Sequence, residues 1–364
     1  MIIRSLQLEN IRCFASQRFD LQSNFVVIEG NNGAGKTSIL ESLHYSCYLR
    51  SFRTRTARDL IQEGKEHGFI AVNFYQPRYS LEEKISVGIG RDSKKFIRLN
   101  DEPVQGYKDI IDHYRVVTLT ADDLSLISGE PEERRSFINA AVLLQQPEHI
   151  KSFREYSRLL ALRNAYLAGP AQRENKPSEE FLVWTKLFWQ HAGEIQKIRI
   201  EYLSQLEASL RMILQEYLSD IDYQVTLAYQ AKELCDTEEA RFNDFGMKYI
   251  SHIFEKERYW QRSLFGTHLD DFSILLDGRK ARLFASRGQQ KLLAYLIKIV
   301  QVVESIRLHN PAVFLVDDFL TDFDKSKAQA CLTIIKQLAT QVILTIPLEY
   351  ERLFSSQDHQ IIKL

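Results

Sequence analysis

Cysteine is scarce, with 4 among 364 residues, and Cys13, Cys47, Cys235 and Cys331 stand far apart with no metal-like spacing. Reduced thiols in a cytosolic protein are the default for such a pattern. No apolar run approaches the roughly 20 residues of a membrane-spanning helix. The opening Met1-Ile2-Ile3-Arg4-Ser5-Leu6-Gln7-Leu8 alternates like a strand, so it does not read as a signal peptide. An excess of one charge is also missing: 47 Lys and Arg face 48 Asp and Glu, a net of −1. That excludes a global positive field, so any nucleic-acid binding has to come from a local basic patch. There is no internal repeat and no low-complexity tract. Sustained heptads are absent too, which argues against a long coiled-coil arm. What is present is the composition of a globular protein, 45% hydrophobic and 26% charged, long enough for two domains or one with a large insertion.

The strongest positive signal is Gly30-Asn31-Asn32-Gly33-Ala34-Gly35-Lys36-Thr37, a complete G-x-x-x-x-G-K-[ST] loop. Phe25–Glu29 before it reads as a short apolar strand, and Ser38–Leu49 after it as a helix. A loop at that junction offers free backbone N–H groups and the helix dipole to a phosphate. Gly30, Gly33 and Gly35 allow the backbone to curl around the β-phosphate. Lys36 would reach the β and γ phosphates and Thr37 would hold Mg²⁺, so ATP and Mg²⁺ are the expected ligands.

Further strands are expected at Ile2–Glu9, Phe69–Tyr75, Leu81–Ile89, Lys95–Leu99 and Arg115–Leu119. From Pro131 to about Tyr217 the pattern is helical, broken at Gly169-Pro170 and near Lys176-Pro177-Ser178. Ile221–Tyr229 reads as a strand and Glu238–Arg262 as a helix, and alternation of strands and helices returns after Gly266. The expected organisation is an α/β nucleotide-binding unit, residues 1–125 and 265–364, split by a mainly helical insertion, residues 126–264.

Ala312-Val313-Phe314-Leu315-Val316-Asp317-Asp318 reads as a buried parallel strand ending in two acids. Asp317 would hold Mg²⁺ and Asp318 would orient or deprotonate the attacking water. Ser286 is a good N-cap for the apolar stretch Leu292–Ile306, and Gly288 permits close backbone approach. Alone, Ser286-Arg287-Gly288-Gln289 is a capped helix. In this order (phosphate loop, insertion, S-x-G-Q, acidic strand, Asp-containing turn) the parts resemble an ABC-type ATPase, in which the capped helix contacts the ATP of a second subunit. Thr321-Asp322-Phe323-Asp324 resembles the dimer-contacting turn, and Thr345 stands where many ABC proteins carry a switch histidine.

Further motifs are Leu6-Gln7-Leu8-Glu9-Asn10-Ile11-Arg12, Ser51-Phe52-Arg53-Thr54, Asp122–Ile127 with Gly129–Arg135, Leu162-Arg163-Asn164-Ala165, Trp184, and Ser286-Arg287-Gly288-Gln289-Gln290-Lys291. Through them nearly the whole chain resembles the RecF family, bacterial recombination-mediator ATPases related to SMC heads. Departures are Ile11 for Phe, Ala121 for Pro, and Gly266-Thr267-His268-Leu269-Asp270-Asp271 where the family has G-P-H-R-D-D. The resemblance implies an ABC-type head with mixed sheet and a helical second lobe. It implies nucleotide contacts from Arg12, the loop residues Gly30 to Ser38, Ser286, Gly288, Gln289 and Asp324. It further implies an ATP-dependent homodimer on double-stranded DNA and at single-/double-strand junctions, work with RecR and RecO, recombinase loading at gaps, and residence in the nucleoid. Because Asp318 stands where many ABC ATPases have Glu, hydrolysis is expected to be slow.

Arg50, Arg53, Arg55 and Arg58 crowd one stretch and suit DNA phosphate, or else a solvated basic turn. Arg134 and Arg135 either touch DNA or pair with Glu130 or Glu132. His268 reads as a packed or capping histidine ahead of a phosphate contact. A metabolic kinase and a transporter's ATPase subunit share the phosphate loop. The first leaves the Ser286 helix start unexplained and the second lacks its usual histidine.

Overall fold

In the computed structural model, residues 1–92, 94–104, 110, 113–169, 176–218, 223–236, 238–308, 311–318, 325–348, 354 and 359–364 are described. They divide into two compact units, Met1–Leu124 with Lys291–Leu364, and Ser125–Gln290.

The first unit holds two sheets. β1 (Ile2–Ile11), β2 (Phe14–Asp20), β4 (His67–Gln76), β5 (Leu81–Gly90), β6 (Lys95–Leu99) and β7 (Glu102–Pro103) form an antiparallel sheet ordered β2-β1-β4-β5-β6-β7. β3 (Phe25–Glu29), β8 (Val116–Leu119), β12 (Val313–Val316), β13 (Val342–Ile346) and β14 (Gln360–Lys363) form an all-parallel sheet ordered β14-β3-β13-β12-β8. Strands β3, β8, β12 and β13 are buried at every residue, as expected of near-continuous apolar runs covered on both faces, with Glu29, Thr118 and Thr345 as the polar exceptions. The helix Lys36–Tyr48 packs against strands of both sheets, and Ile39, Leu40 and Leu43 join the core they share. Strand β2 was not expected from the sequence. Only Phe19 of its side chains is buried, and among the described strands it pairs with β1 alone.

The second unit is mainly helical: Pro131–Gln145, Ile150–Ala168, a 39-residue helix Glu179–Tyr217, Glu239–Lys248 and Phe254–Trp260, with one π-helical turn at Tyr249–Ile253. The long helix starts at Ser178, whose Oγ accepts from Phe181 N at 3.3 Å. It buries side chains from Phe181 to Leu214, so it is packed along its length and is no free arm. Antiparallel β9 (Val225–Gln230), β10 (Asp271–Leu276) and β11 (Arg279–Lys280) complete the unit. Residues 265–290 therefore belong here and not with the nucleotide-binding unit as the sequence suggested. The cause is non-local pairing: Asp271 to Leu276 align with Gln230 to Val225.

Candidate nucleotide-binding site

The loop Gly30–Thr37 leaves the carboxyl end of β3, where ligands of open parallel sheets bind. Gly33 and Gly35 have φ of +86° and +104°, which L side chains rarely adopt. Gly35 also lacks room, since a Cβ there would fall 2.6 Å from Cys13 Sγ and from the Phe14 ring. Lys36 is buried, and its Nζ donates to the carbonyls of Gly30 at 2.7 Å and Asn31 at 3.1 Å. The ammonium thus lies folded across its own loop. Ser38, the third residue of the helix, is buried, while Asn31, Asn32 and Gly33 are exposed at the loop tip.

Parallel register brings the acidic strand end to the same place. Val316 lies opposite Leu344 of β13, and Ile343 lies opposite Val26 of β3. Thr37 Oγ1 donates to Asp317 Oδ1 at 3.1 Å, and Thr345 Oγ1 donates to the same oxygen at 2.8 Å. Thr345 Oγ1 in turn accepts from Asp318 N at 2.9 Å. Burial raises the pKa of Asp317. The bonds from Thr345 and Thr37 oppose that, Asp318 adds to it, and Arg53 opposes it from further away. A largely buried carboxylate beside a helix-start hydroxyl suits a hard divalent cation, so Thr37 and Asp317 fit Mg²⁺. Asp318 has φ +47°, a region that Asp tolerates better than most residues.

A second group at this site was not legible as such in the sequence. Arg12, itself at φ +51°, donates from Nε and Nη2 to Glu41 at 2.9 and 2.7 Å. Glu41 is fully buried on the helix that follows the loop, accepts also from Ser51 Oγ, and has Arg53 Nη1 3.5 Å away. An acid in mid-helix beside Ile39, Leu40 and Leu43, which belong to the core, needs a cation, and that was the available signal. Arg50, Arg53, Arg55 and Arg58 are all exposed, but only Arg53 is recorded against Glu41; Arg58 lies 4.0 Å from Asp59.

In the second unit, Ser286 and Gln289 form a reciprocal cap. Gln289 N donates to Ser286 Oγ at 3.3 Å, and Ser286 N donates to Gln289 Oε1 at 2.7 Å, opening the helix Arg287–Arg307. Ser286 is exposed, and a Cβ on Gly288 would meet no described atom within 4 Å. Asp324, with Thr321 to Phe323, lies outside the described residues.

Arg134 pairs with neither Glu130 nor Glu132. It is buried and donates from Nε and Nη2 to Asp271 at 2.8 and 2.9 Å, while Arg135 Nη1 donates to the Asp270 carbonyl at 2.9 Å. His268 is a packed histidine: Tyr156 Oη lies 2.7 Å from Nδ1 and the Ser263 carbonyl 3.3 Å from Nε2. Burial lowers its pKa to about 4.

The glycine loop, the acidic strand end bound to Thr37 and Thr345, and the capped S-x-G-Q helix start are the parts of an ABC-type ATPase head. The chain belongs to the RecF/RecN/SMC N-terminal domain family, whose model matches residues 2–360. It is 28% identical over 349 residues to the DNA replication and repair protein RecF of Clostridium perfringens, covering 95% of this chain and 93% of that one. To RecF of Pelotomaculum thermopropionicum it is 29% identical over 337 residues, covering 91% and 90%. Its fold matches the recombination mediator protein RecF with ATP of the RecFOR pathway (TM-score 0.83, 20% identity, 99% and 95% covered). A Pyrococcus furiosus Smc head matches more distantly (TM-score 0.56, 15% identity, 96% and 91% covered).

Proposed function

We propose that the chain is an ATP-dependent DNA-binding protein of recombinational repair and replication restart, in which ATP joins two copies on DNA and slow hydrolysis parts them. The observation that carries this is the pairing of a preformed phosphate loop with an exposed Ser286 cap. Within one copy nothing described demands glycine at 288, whereas close approach of a second copy's triphosphate does. Each ATP would then lie between Lys36 of one copy and Ser286, Gly288 and Gln289 of the other, with Asp324 in the contacting turn.

Lys36 leaves the Gly30 and Asn31 carbonyls for the β and γ phosphates, and Gly30 to Ser38 line the rest of the triphosphate. Mg²⁺, held by Thr37 and Asp317, would neutralise developing charge on the phosphates. Asp318 orients the attacking water, with Thr345 holding its backbone in place of a switch histidine. The shorter reach of Asp compared with Glu makes this ATPase slow, to be stimulated by DNA. Arg50, Arg53, Arg55 and Arg58 are the candidates for backbone phosphates of double-stranded DNA and of single-/double-strand junctions. RecR and RecO are the partners implied by the RecFOR pathway of the structurally similar protein, and recombinase loading at gaps is the expected outcome.

Light scattering with and without ATP tests the reading on the wild type, Lys36→Ala and Ser286→Arg. ATP should double the mass of the wild type alone. A wild type that binds ATP and stays monomeric would overturn it and favour a kinase.

A further inference from the structure

The second unit presents an aromatic pair to solvent where one of its helices ends. Tyr259 and Trp260 close the helix Phe254–Trp260 and are 79% and 59% exposed. Their rings meet edge to face, with centroids 5.3 Å apart and planes at 89°. Aromatic side chains dominate cores and interfaces, so two adjacent ones in water call for a reason. No aliphatic side chain among the described residues 251–263 is exposed beside them. Phe254 and Glu257 are buried on the same helix, so the rings stand on a fixed base. The charge around the pair is positive once burial is counted. Glu255, Lys256, Glu257, Arg258 and Arg262 flank it, two acids against three bases. Glu257 is fully buried and engaged by Arg163, Tyr249 Oη and Leu264 N, which leaves Glu255 as the exposed acid of the stretch. Lys256 stands three and four residues before Tyr259 and Trp260, hence on their face of the helix. Gln261, at φ +55°, then turns the chain, and Arg262 follows, exposed. Among the described residues neither Lys256 nor Arg262 has a side-chain partner.

We infer that Tyr259 and Trp260 form a stacking platform for the unpaired bases of single-stranded nucleic acid, with Lys256 and Arg262 on the adjoining phosphates. Every base has an aromatic face, and stacking it on a protein ring requires that it be free of its neighbours in a duplex. A duplex therefore offers this surface phosphate alone, whereas a single strand offers phosphates and rings together. Protein partners also favour aromatic side chains, but within a patch whose centre is depleted of charge. Here the exposed neighbours are Lys256, Gln261 and Arg262. The inference rests on the proposed DNA-binding reading. It gives the single-stranded side of that reading its own place in the second unit, while Arg50, Arg53, Arg55 and Arg58 belong to the first.

Trp260 supplies its own signal, since Trp184 is half-buried and Trp189 is buried. Tryptophan fluorescence of the wild type is followed as an oligothymidylate or a blunt duplex is added, and affinities are measured for the wild type, Trp260→Ala, Trp260→Phe and Arg262→Ala. The single strand should quench the wild type and the duplex should not. Trp260→Ala should weaken the single strand about tenfold and the duplex less than about twofold, for loss of one stacked base. Trp260→Phe should keep most of the affinity, because a ring remains. Arg262→Ala should flatten the salt dependence of single-strand binding by about 0.7 of a unit of slope. A wild type that binds duplex alone would overturn the inference. So would a single strand that leaves Trp260 unquenched and binds Trp260→Ala as well as wild type, or equal losses for single strand and duplex. A wild type that binds neither would instead sink the DNA-binding reading itself.

Discussion

Each unit of this molecule buries an arginine–glutamate pair, and the two are built in opposite ways. In the second unit Arg163 and Glu257 are both fully buried, with Arg163 Nη2 donating to Glu257 Oε2 at 2.7 Å. Its guanidinium lies 4.7 to 5.5 Å from the centroids of the Phe181, Phe188, Tyr249 and Phe265 rings, and its remaining donors go to Thr185, Ser263 and Tyr249. Tyr249 Oη and Leu264 N satisfy Glu257 in turn. Nothing in that cluster faces water. In the first unit Glu41 is equally buried, but Arg12 and Arg53 reach out from it to solvent. The closed cluster has no capacity left for a ligand and can only hold the unit together. The open one carries a surplus positive charge next to the phosphate loop. Exposure of the cationic side, and not the identity of the pair, separates the closed cluster from the open one.

The closed cluster offers the largest expected effect. Removing one partner strands the other charge in an aromatic cage, so Arg163→Met or Glu257→Gln should cost roughly 3 to 5 kcal/mol of stability. Changing both, as Arg163→Met with Glu257→Leu, should restore much of that loss. Chemical denaturation of all three variants measures the difference. A double variant no better than the singles would mean that the charges themselves, and not their pairing, sustain the unit.

A smaller effect sharpens the comparison through pH. Burial holds His44 in the first unit near a pKa of about 3, with Arg50 and Lys298 assisting, and holds His268 near about 4, against 6.5 when unfolded. The unfolded chain therefore binds protons that the native chain refuses. Stability is full above pH 6.5 and is lost as pH falls towards these values, at up to about 1.4 kcal/mol per pH unit for each histidine. His268→Gln should remove one such slope between pH 6.5 and 4, read from denaturation midpoints across that range. An unchanged slope would show that His268 is not held neutral.

The smallest effect is expected at Leu269, which is exposed where the family carries arginine. Leu269→Arg should move stability by less than about 0.5 kcal/mol in a thermal melt. A larger gain would reveal a polar partner waiting for that arginine.

Legibility in the sequence followed the range of the interactions. The phosphate loop, its strand and its helix were readable because eight consecutive residues fix that geometry. The Ser286 cap was readable because its partner stands three residues away, although the sequence showed only the serine and not the reciprocal bond from Gln289. Strand β2 was missed because an edge strand with one buried side chain leaves almost no apolar period. Placing residues 265–290 required β10 to find β9 some 40 residues earlier, which no local pattern encodes. For the same reason Glu257 could not be matched to Arg163 across 94 residues, nor Glu41 to Arg12 across 29. Thr345 stands in the sequence where many ABC proteins carry histidine, while its bond to Asp317 depends on strand order.

The central claim is that one nucleotide site is made by two copies, and mixing two defective copies tests it most directly. Lys36→Ala retains its Ser286 cap, and Ser286→Arg retains its phosphate loop, so the mixed pair contains one intact composite site. The account predicts that neither variant gains mass with ATP alone and that the mixture does, with a weaker midpoint than the wild type. A Ser286→Arg protein that dimerises with ATP as the wild type does, or a mixture that stays monomeric under conditions where the wild type pairs, would contradict it.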